Sequence, residues 1–240
     1  MKKIISYLNN KISRFNSSKN ILKLNFLYHK YLGEKDIGKV GFDFSKKPTR
    51  QIIVQETINR KKYKSYLEIG CFHNELFDNI VCEKKIGVDP VSGGTTRKTS
   101  HDFFSTNKEQ FDCIFIDGLH YYNQVKRDVM NSLKFLNQEG VIFLHDCLPN
   151  NIYEQAIPRC QYEWSGDVWK ALVDFRTSDD LDTYTCYADH GVGLILKRKN
   201  QKKLILENNK KISNLKFYDY YNNYKQYMNI IEYDELKHLF

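Results

Sequence analysis

The sequence predicts an α/β domain built on a doubly wound, mostly parallel sheet, and three observations carry that expectation. Short apolar runs alternate with amphipathic stretches from about residue 60 to residue 200. The first two of those runs end in acidic residues about 20 positions apart, Glu68 and Asp89. Two further β-like runs close the region, joined by Asp189-His190-Gly191, a hairpin signal. A chain of 240 residues holds one such domain with a full core and is short for two.

Taken in order, the chain begins with Ile4, Leu8, Ile12 and Phe15 at helical spacing, with Lys2, Lys3, Lys11 and Arg14 between them. This basic amphipathic helix suits packing on the domain or on a second copy of the chain, as in a homo-oligomer; peripheral contact with a membrane surface is the lesser use. A turn-rich connector from Gly38 to Pro48 leads to a helix at 49–60. Strands are expected at 64–69, 85–88, 111–116 and 141–144, each short, apolar and closed by polar residues or glycine. Helices are expected between them at about 74–81, 105–110 and 121–137. In the last of these Val125, Val129, Leu133 and Leu136 keep one apolar face against Lys126, Arg127, Asp128 and Lys134. The hairpin strands fall at 183–188 and 192–197. In the C-terminal piece Phe217, Tyr220, Tyr221, Tyr224, Tyr227 and Met228 follow helical spacing and read as a buried or interface stripe, with base stacking the lesser alternative. The resulting division is a basic helical extension at 1–60, the main domain at 61–200 and a helical Lys/Tyr-rich extension at 201–240.

Composition narrows the function classes. No stretch approaches the roughly 18 apolar residues of a membrane span, and the run Ile4-Ile5-Ser6-Tyr7-Leu8 is too short for a signal peptide, so a cytoplasmic protein is expected. The six cysteines show neither a CxxC pair nor zinc-type spacing and read as reduced, structural thiols. The net charge of +8 is concentrated in the N-terminal arm, which leaves the central region near neutral. Such an arm steers acidic partners or aids solubility.

The first chemical signal is Tyr66-Leu67-Glu68-Ile69-Gly70-Cys71-Phe72-His73, an apolar strand with an acid two places before a glycine. Ligands of open α/β sheets bind just past such strand ends. A nicotinamide or flavin site would want G-x-G-x-x-G to seat a pyrophosphate, and Gly70 stands alone. The second signal, Gly87-Val88-Asp89-Pro90, places a carboxylate where dinucleotide folds hold ribose hydroxyls. Further along stand His101-Asp102-Phe103-Phe104, Phe115-Ile116-Asp117-Gly118-Leu119-His120, Asp128 with Asn131-Ser132-Leu133, and Leu144-His145-Asp146-Cys147.

With these marks, the run from Tyr66 to about Lys197 resembles the class I S-adenosylmethionine-dependent methyltransferases of bacterial glycan and natural-product gene clusters. The resemblance implies a Rossmann-like, doubly wound, mostly parallel seven-stranded sheet with an antiparallel C-terminal hairpin. It implies S-adenosylmethionine as cofactor, with Glu68, Gly70 and Cys71 lining the methionine end and Phe72 and His73 in the same turn. Asp89, followed by Pro90, would hold the ribose, Asp102 and Phe103 would lie near the adenine, and Asp117 and Gly118 would close the floor. Glu68 suits a ligand that carries a sulfonium and an ammonium and no phosphate. The departure from the family pattern is the absence of a second and third glycine after Gly70.

His120, His145 and Asp146 are the candidate catalytic residues, at the ends of the third and fourth strands of this series. Methyl transfer needs the acceptor aligned with the sulfonium methyl, and a histidine can take a hydroxyl proton near neutral pH. Related metal-dependent O-methyltransferases place carboxylates at these two strand ends, and Asp117 and Asp146 match them. Cys147 stands where such enzymes have a further oxygen ligand and is a poor ligand for Mg²⁺, so the metal-free reading is preferred and a divalent ion is the lesser one. Beyond Pro149, Trp164, Gly166, Asp167, Trp169 and Lys170 belong to a segment placed to cross the cleft mouth, with Trp169, Leu172 and Phe175 as the inner face of a helix. The expected activity is O-methylation of a sugar or sugar-derived precursor of a bacterial surface glycan. Rivals are a natural-product or other small-molecule O- or N-methyltransferase, a nucleic-acid methyltransferase, disfavoured because no Asn-Pro-Pro-Tyr-type motif is present, and a nucleoside-binding protein without turnover.

Overall fold

The computed structural model describes residues 19–206 and 210–240; the helix expected around Ile4 to Phe15 lies outside them. Alternating apolar side chains make each strand of the sheet two-faced, and the chain covers both faces with helices. The elements in order are α1 (Lys19–Leu32), α2 (Arg50–Lys61), β1 (Ser65–Ile69), β2 (Lys84–Val88), α3 (Ser100–Thr106), β3 (Phe111–Ile116), α4 (Tyr122–Phe135) and β4 (Leu136–Leu144). They continue with α5 (Val168–Arg176), β5 (Asp182–Cys186), β6 (Val192–Leu196), α6 (Phe217–Met228), β7 (Ile230–Ile231) and α7 (Tyr233–Lys237).

The seven strands form one sheet in the order β2-β1-β3-β4-β6-β5-β7. The pairs β2/β1, β1/β3, β3/β4 and β5/β7 are parallel, and β6 runs against both β4 and β5. This is the Rossmann-like, mostly parallel sheet with a C-terminal hairpin that the sequence predicts. Among the described residues no helix is long and apolar enough to cross a membrane.

The core divides by strand parity. Leu67, Ile69, Ile114, Ile116, Ile142 and Leu144 face α3, α4, α5 and α6, whereas Tyr66, Cys113, Phe115, Val141 and Phe143 face α2 and α7. Trp169, Leu172 and Phe175 are buried on α5 as expected, and Trp169 packs on Tyr220 of α6 with ring centroids 5.0 Å apart. Phe217, Tyr220 and Met228 of the C-terminal stripe are fully buried, with Tyr221, Tyr224 and Tyr227 partly so. All six cysteines are free, five of them buried.

Three expected helices differ. The stretch 74–81 forms only a short 3-10 turn, Phe77–Asn79. Phe72 and Asn74 adopt left-handed backbone at φ 45° and 62°, and the Asn74 side chain accepts from the Gly94 amide at 2.6 Å, so the chain leaves β1 turned away from helical geometry. The helix expected at 105–110 starts earlier, at Ser100. Thr99 caps it, its hydroxyl accepting from the Asp102 amide at 3.1 Å, a Thr-x-x-Asp start that decides over the apolar spacing downstream. The helix after β3 stops at Phe135, and β4 begins at Leu136 with a register irregularity opposite Phe111 and Cys113.

Candidate active site

β1 leads leftward to β2 while β3 and β4 lie to its right, so the crevice of this sheet opens between the C-terminal ends of β1 and β3. Gly70 sits there at φ 89°, with its amide bonded to the Val88 carbonyl at 2.9 Å. A Cβ on Gly70 would meet the Asp117 carbonyl oxygen at 2.2 Å, so only glycine lets the two strand ends approach this closely.

Glu68 points into the protein beneath this crevice, 2% exposed, and accepts a hydrogen bond from the Tyr66 hydroxyl at 2.6 Å. Burial pushes its carboxyl pKa up to about 7, and the nearby Asp117 charge adds to the rise; the Tyr66 hydrogen bond and Arg50 work against it. Asp89 follows β2 directly with its carboxylate already bound to backbone: Oδ2 accepts from Phe72 N at 3.0 Å, and Oδ1 accepts from Val91 N at 2.7 Å and Ser92 N at 2.9 Å. A carboxylate offers about four lone-pair positions, which leaves room for one further donor. Cys71 is buried, and burial with the Glu68 charge raises its thiol pKa, so it is a packing residue beneath the turn. Phe72, His73 and Pro90 are exposed at the rim.

Asp102 and Phe103, expected near the adenine, lie in the first turn of α3. Asp102 accepts from the Thr99 hydroxyl at 2.9 Å on the exposed start of α3, and Phe103, 6% exposed, packs against Phe104 and Phe111 in the core. Little of that ring is left for a ligand.

Asp117, His120, His145 and Asp146 come together at the ends of β3 and β4. His145 is 6% exposed; its Nδ1 lies 3.4 Å from Asp117 and 3.5 Å from Asp146, and its Nε2 lies 3.2 Å from Asp189. His120 Nε2 is 3.1 Å from Asp117 and its Nδ1 is 3.3 Å from Asp146 and 3.2 Å from the Trp164 carbonyl. The indole of Trp164 stacks on the His120 ring at 5.3 Å and 16°. Gly166, at φ 59°, packs so close to His120 that a Cβ would lie 1.9 Å from its carbonyl oxygen. The segment after Pro149 thus clamps His120 in place.

Electrostatics in the cluster are mutual. Burial opposes the imidazolium of His145, but the charges of Asp146 and Asp117 outweigh it and hold its pKa well above the ordinary value. The same holds for His120, where burial is outweighed by the Asp117 hydrogen bond and the Asp146 charge. Burial in turn opposes the carboxylates of Asp117 and Asp146, and His145 more than compensates, keeping both pKa values low. Cys147 is buried beneath the cluster, where burial pushes its thiol up to about 12.

Sequence reasoning missed two members. Asp189, in the hairpin turn, carries a pKa lowered to about 2: burial opposes this, and the hydrogen bond and charge of His145 drive it. The turn is fixed by Cys147 N donating to Gly191 O at 2.9 Å and Leu148 N to His190 O at 2.8 Å, contacts that depend on the fold and leave no local pattern. Arg50 opens α2; its amide donates to Asp189 Oδ2 at 2.6 Å and its Nη1 lies 3.4 Å from Asp189 Oδ1. An arginine in the first turn of a helix opposes the helix dipole, and that mismatch was the available signal.

Asp117, His120 and Asp146 each offer a ligand atom, all within 4.8 Å of one another, so a divalent ion with mixed oxygen and nitrogen ligands fits them.

Part of the chain is similar to known proteins. Residues 59–147, less than half of the chain, match a family model described as a methyltransferase domain. No curated protein matches the chain. Similar solved structures include the O-methyltransferase from Bacillus cereus in complex with SAH, 14% identical with a TM-score of 0.47, covering 72% of this chain and 97% of that one. The O-methyltransferase TomG from Streptomyces achromogenes in complex with SAM is 11% identical with a TM-score of 0.47, covering 74% of this chain and 89% of that one. The N-methyltransferase NodS from Bradyrhizobium japonicum WM9 is 16% identical with a TM-score of 0.41, covering 63% and 95% respectively.

The raised pKa of Glu68 makes a test of this geometry. A buried carboxyl with its pKa above the unfolded value binds more protons folded than unfolded, so its contribution to stability falls as pH rises from about 4.5 to about 7. Glu68→Gln keeps an acceptor for Tyr66 and removes the charge. Urea unfolding should show the variant more stable than the parent at pH 8, by on the order of 1–3 kcal/mol, and equal to it near pH 5.

Proposed function

We propose that the chain transfers the methyl group of S-adenosylmethionine to a hydroxyl of a small, sugar-like acceptor. The observation that carries this reading is the pair of buried acids, Glu68 and Asp89, flanking Gly70 at the crevice within the stretch that matches a methyltransferase domain. The fit to the cofactor is chemical. No glycine-rich phosphate cradle is built there, a buried carboxyl stands where a cationic group is wanted, and Asp89 keeps room for one ribose hydroxyl. When bound, S-adenosylmethionine supplies an activated methyl group on a sulfonium. In this reading residues 61–200 carry the chemistry and the two terminal segments are extensions, in a cytoplasmic enzyme.

The protein's part is alignment and proton handling. His120 is the more accessible histidine, its side chain 17% exposed, and it takes the acceptor's hydroxyl proton at the nitrogen freed when the acceptor enters. Asp117 and Asp146 stabilise the imidazolium that results. His145, engaged on both nitrogens, holds the carboxylates and positions them.

A second reading is favoured by the trio Asp117, His120 and Asp146, which could hold a divalent ion that acidifies the acceptor hydroxyl directly. His120 would then be a ligand and unavailable as base.

Calorimetry is expected to show the protein binding S-adenosylhomocysteine, and Asp89→Ala weakening it by about 1.5–3 kcal/mol. Unchanged affinity would move the ribose elsewhere.

Because both histidines are held protonated above the ordinary value, the base form of His120 accumulates only as pH rises through that raised value. Turnover should therefore show an acid limb centred above about 6.5, and Asp146→Asn should lower turnover and move the limb down. Exhaustive chelation should leave most activity intact. Loss of activity restored by Mg²⁺, Mn²⁺ or Ca²⁺ would replace this mechanism with the metal one.

A further inference from the structure

We infer that the acceptor sits in the cavity walled by the connector ahead of the domain, and that this cavity takes a hydroxylated ring bearing no negative charge. The inference rests on the methyl-transfer reading and adds to it the place and charge class of the acceptor.

The cavity measures about 430 Å³, within the range of about 300–1,000 Å³ common for small-molecule sites. It shares Asp189 with the histidine cluster, and His190, on its wall, has its ring 6.3 Å from that of His145. It therefore adjoins the cluster on the hairpin side.

Its wall is aromatic and fixed. Phe44 lies 5.4 Å from His190 and 5.3 Å from Tyr187, and Phe42 lies 5.7 Å from Tyr187. Asn150 pins the connector: its Oδ1 accepts from Gly41 N at 2.8 Å and Phe42 N at 3.1 Å, and its Nδ2 donates to Phe42 O at 3.0 Å. A flat aromatic surface suits the C–H face of a saturated ring, and the polar edge supplies hydrogen-bond acceptors for its hydroxyls.

The polar edge is acidic although the chain carries a net charge of +8. Glu154, Glu163 and Asp189 line the cavity, and since the Asp189 charge is answered by His145 and Arg50, the two glutamates set its sign. Lys47 also lines it, but its ammonium is bound to Glu232 at 2.9 Å and lies over the Tyr187 ring. An anionic acceptor such as a sugar phosphate would meet the two glutamates, and like-charge repulsion would disfavour it.

The test is transfer of labelled methyl from S-adenosylmethionine to methyl hexosides, hexosamines and hexose 6-phosphates, with calorimetric binding of S-adenosylhomocysteine run in parallel. Transfer should favour the uncharged and amino sugars, with kcat/KM at least about tenfold lower for the phosphates. Phe44→Ala should raise the acceptor KM several-fold while leaving S-adenosylhomocysteine affinity unchanged. Glu163→Lys, at an exposed rim position, should narrow the discrimination against phosphates without lowering the thermal midpoint. Preference for phosphates, an unaltered acceptor KM in both variants, or cofactor binding with no transfer to any sugar would overturn the acceptor site. Failure of the parent protein to bind S-adenosylhomocysteine would strike the methyl-transfer reading beneath it.

Discussion

The site depends on one interaction: the buried imidazole of His145 set among Asp117, Asp146 and Asp189. Three carboxylates this close would repel one another and resist burial, and none would stay ionised without compensation. His145 sits inside them and Arg50 and His120 flank them, so the negative charges of the cluster are answered within it when both histidines are protonated. Removing the positive centre would leave buried like charges, which costs more than the pair contributes.

Backbone geometry imposes this arrangement more than side-chain choice does. β3 and β4 lie parallel and in register from Cys113/Val141 to Ile116/Leu144, which brings Asp117 and His145 to the same end of the sheet. Asp146 follows in left-handed backbone at φ 58°, a conformation aspartate tolerates better than most residues and one that turns its carboxylate back toward His120 and His145. Asp189 and His190 share this backbone at φ 41° and 59°, so the hairpin turn presents its carboxylate to the same imidazole. Three of the seven left-handed non-glycine positions among the described residues, Asp146, Asp189 and His190, lie where the charges meet.

Much of this was legible in the chain. Strand ends carry ligand chemistry in parallel sheets, so Glu68 and Asp89 could be singled out from short apolar runs and the acids that close them, whereas Asp117, His120, His145 and Asp146 were singled out with the family resemblance. The turn after β1 was harder, because Leu76, Phe77 and Ile80 have helical spacing yet pack on the sheet from a chain that Phe72 and Asn74 have already turned. Asp102 accepts a hydrogen bond from the helix-capping Thr99 and Phe103 packs in the core, contacts that position along the chain did not foretell. Arg50 and Asp189 lie 139 residues apart and meet only because α2 and the hairpin converge on one sheet end, a contact that no local pattern encodes.

The central claim is that His145 is an imidazolium held by its carboxylates. The most direct measurement is a pH titration of the protein labelled with ¹⁵N at histidine, following the His145 ring nitrogens by nuclear magnetic resonance and assigning them with His145→Gln. The account expects both nitrogens to remain protonated well above pH 6.5, the ordinary value for a free histidine at about 6.5 being left behind. A ring that is neutral at pH 7, or that titrates at or below the ordinary value, would contradict it.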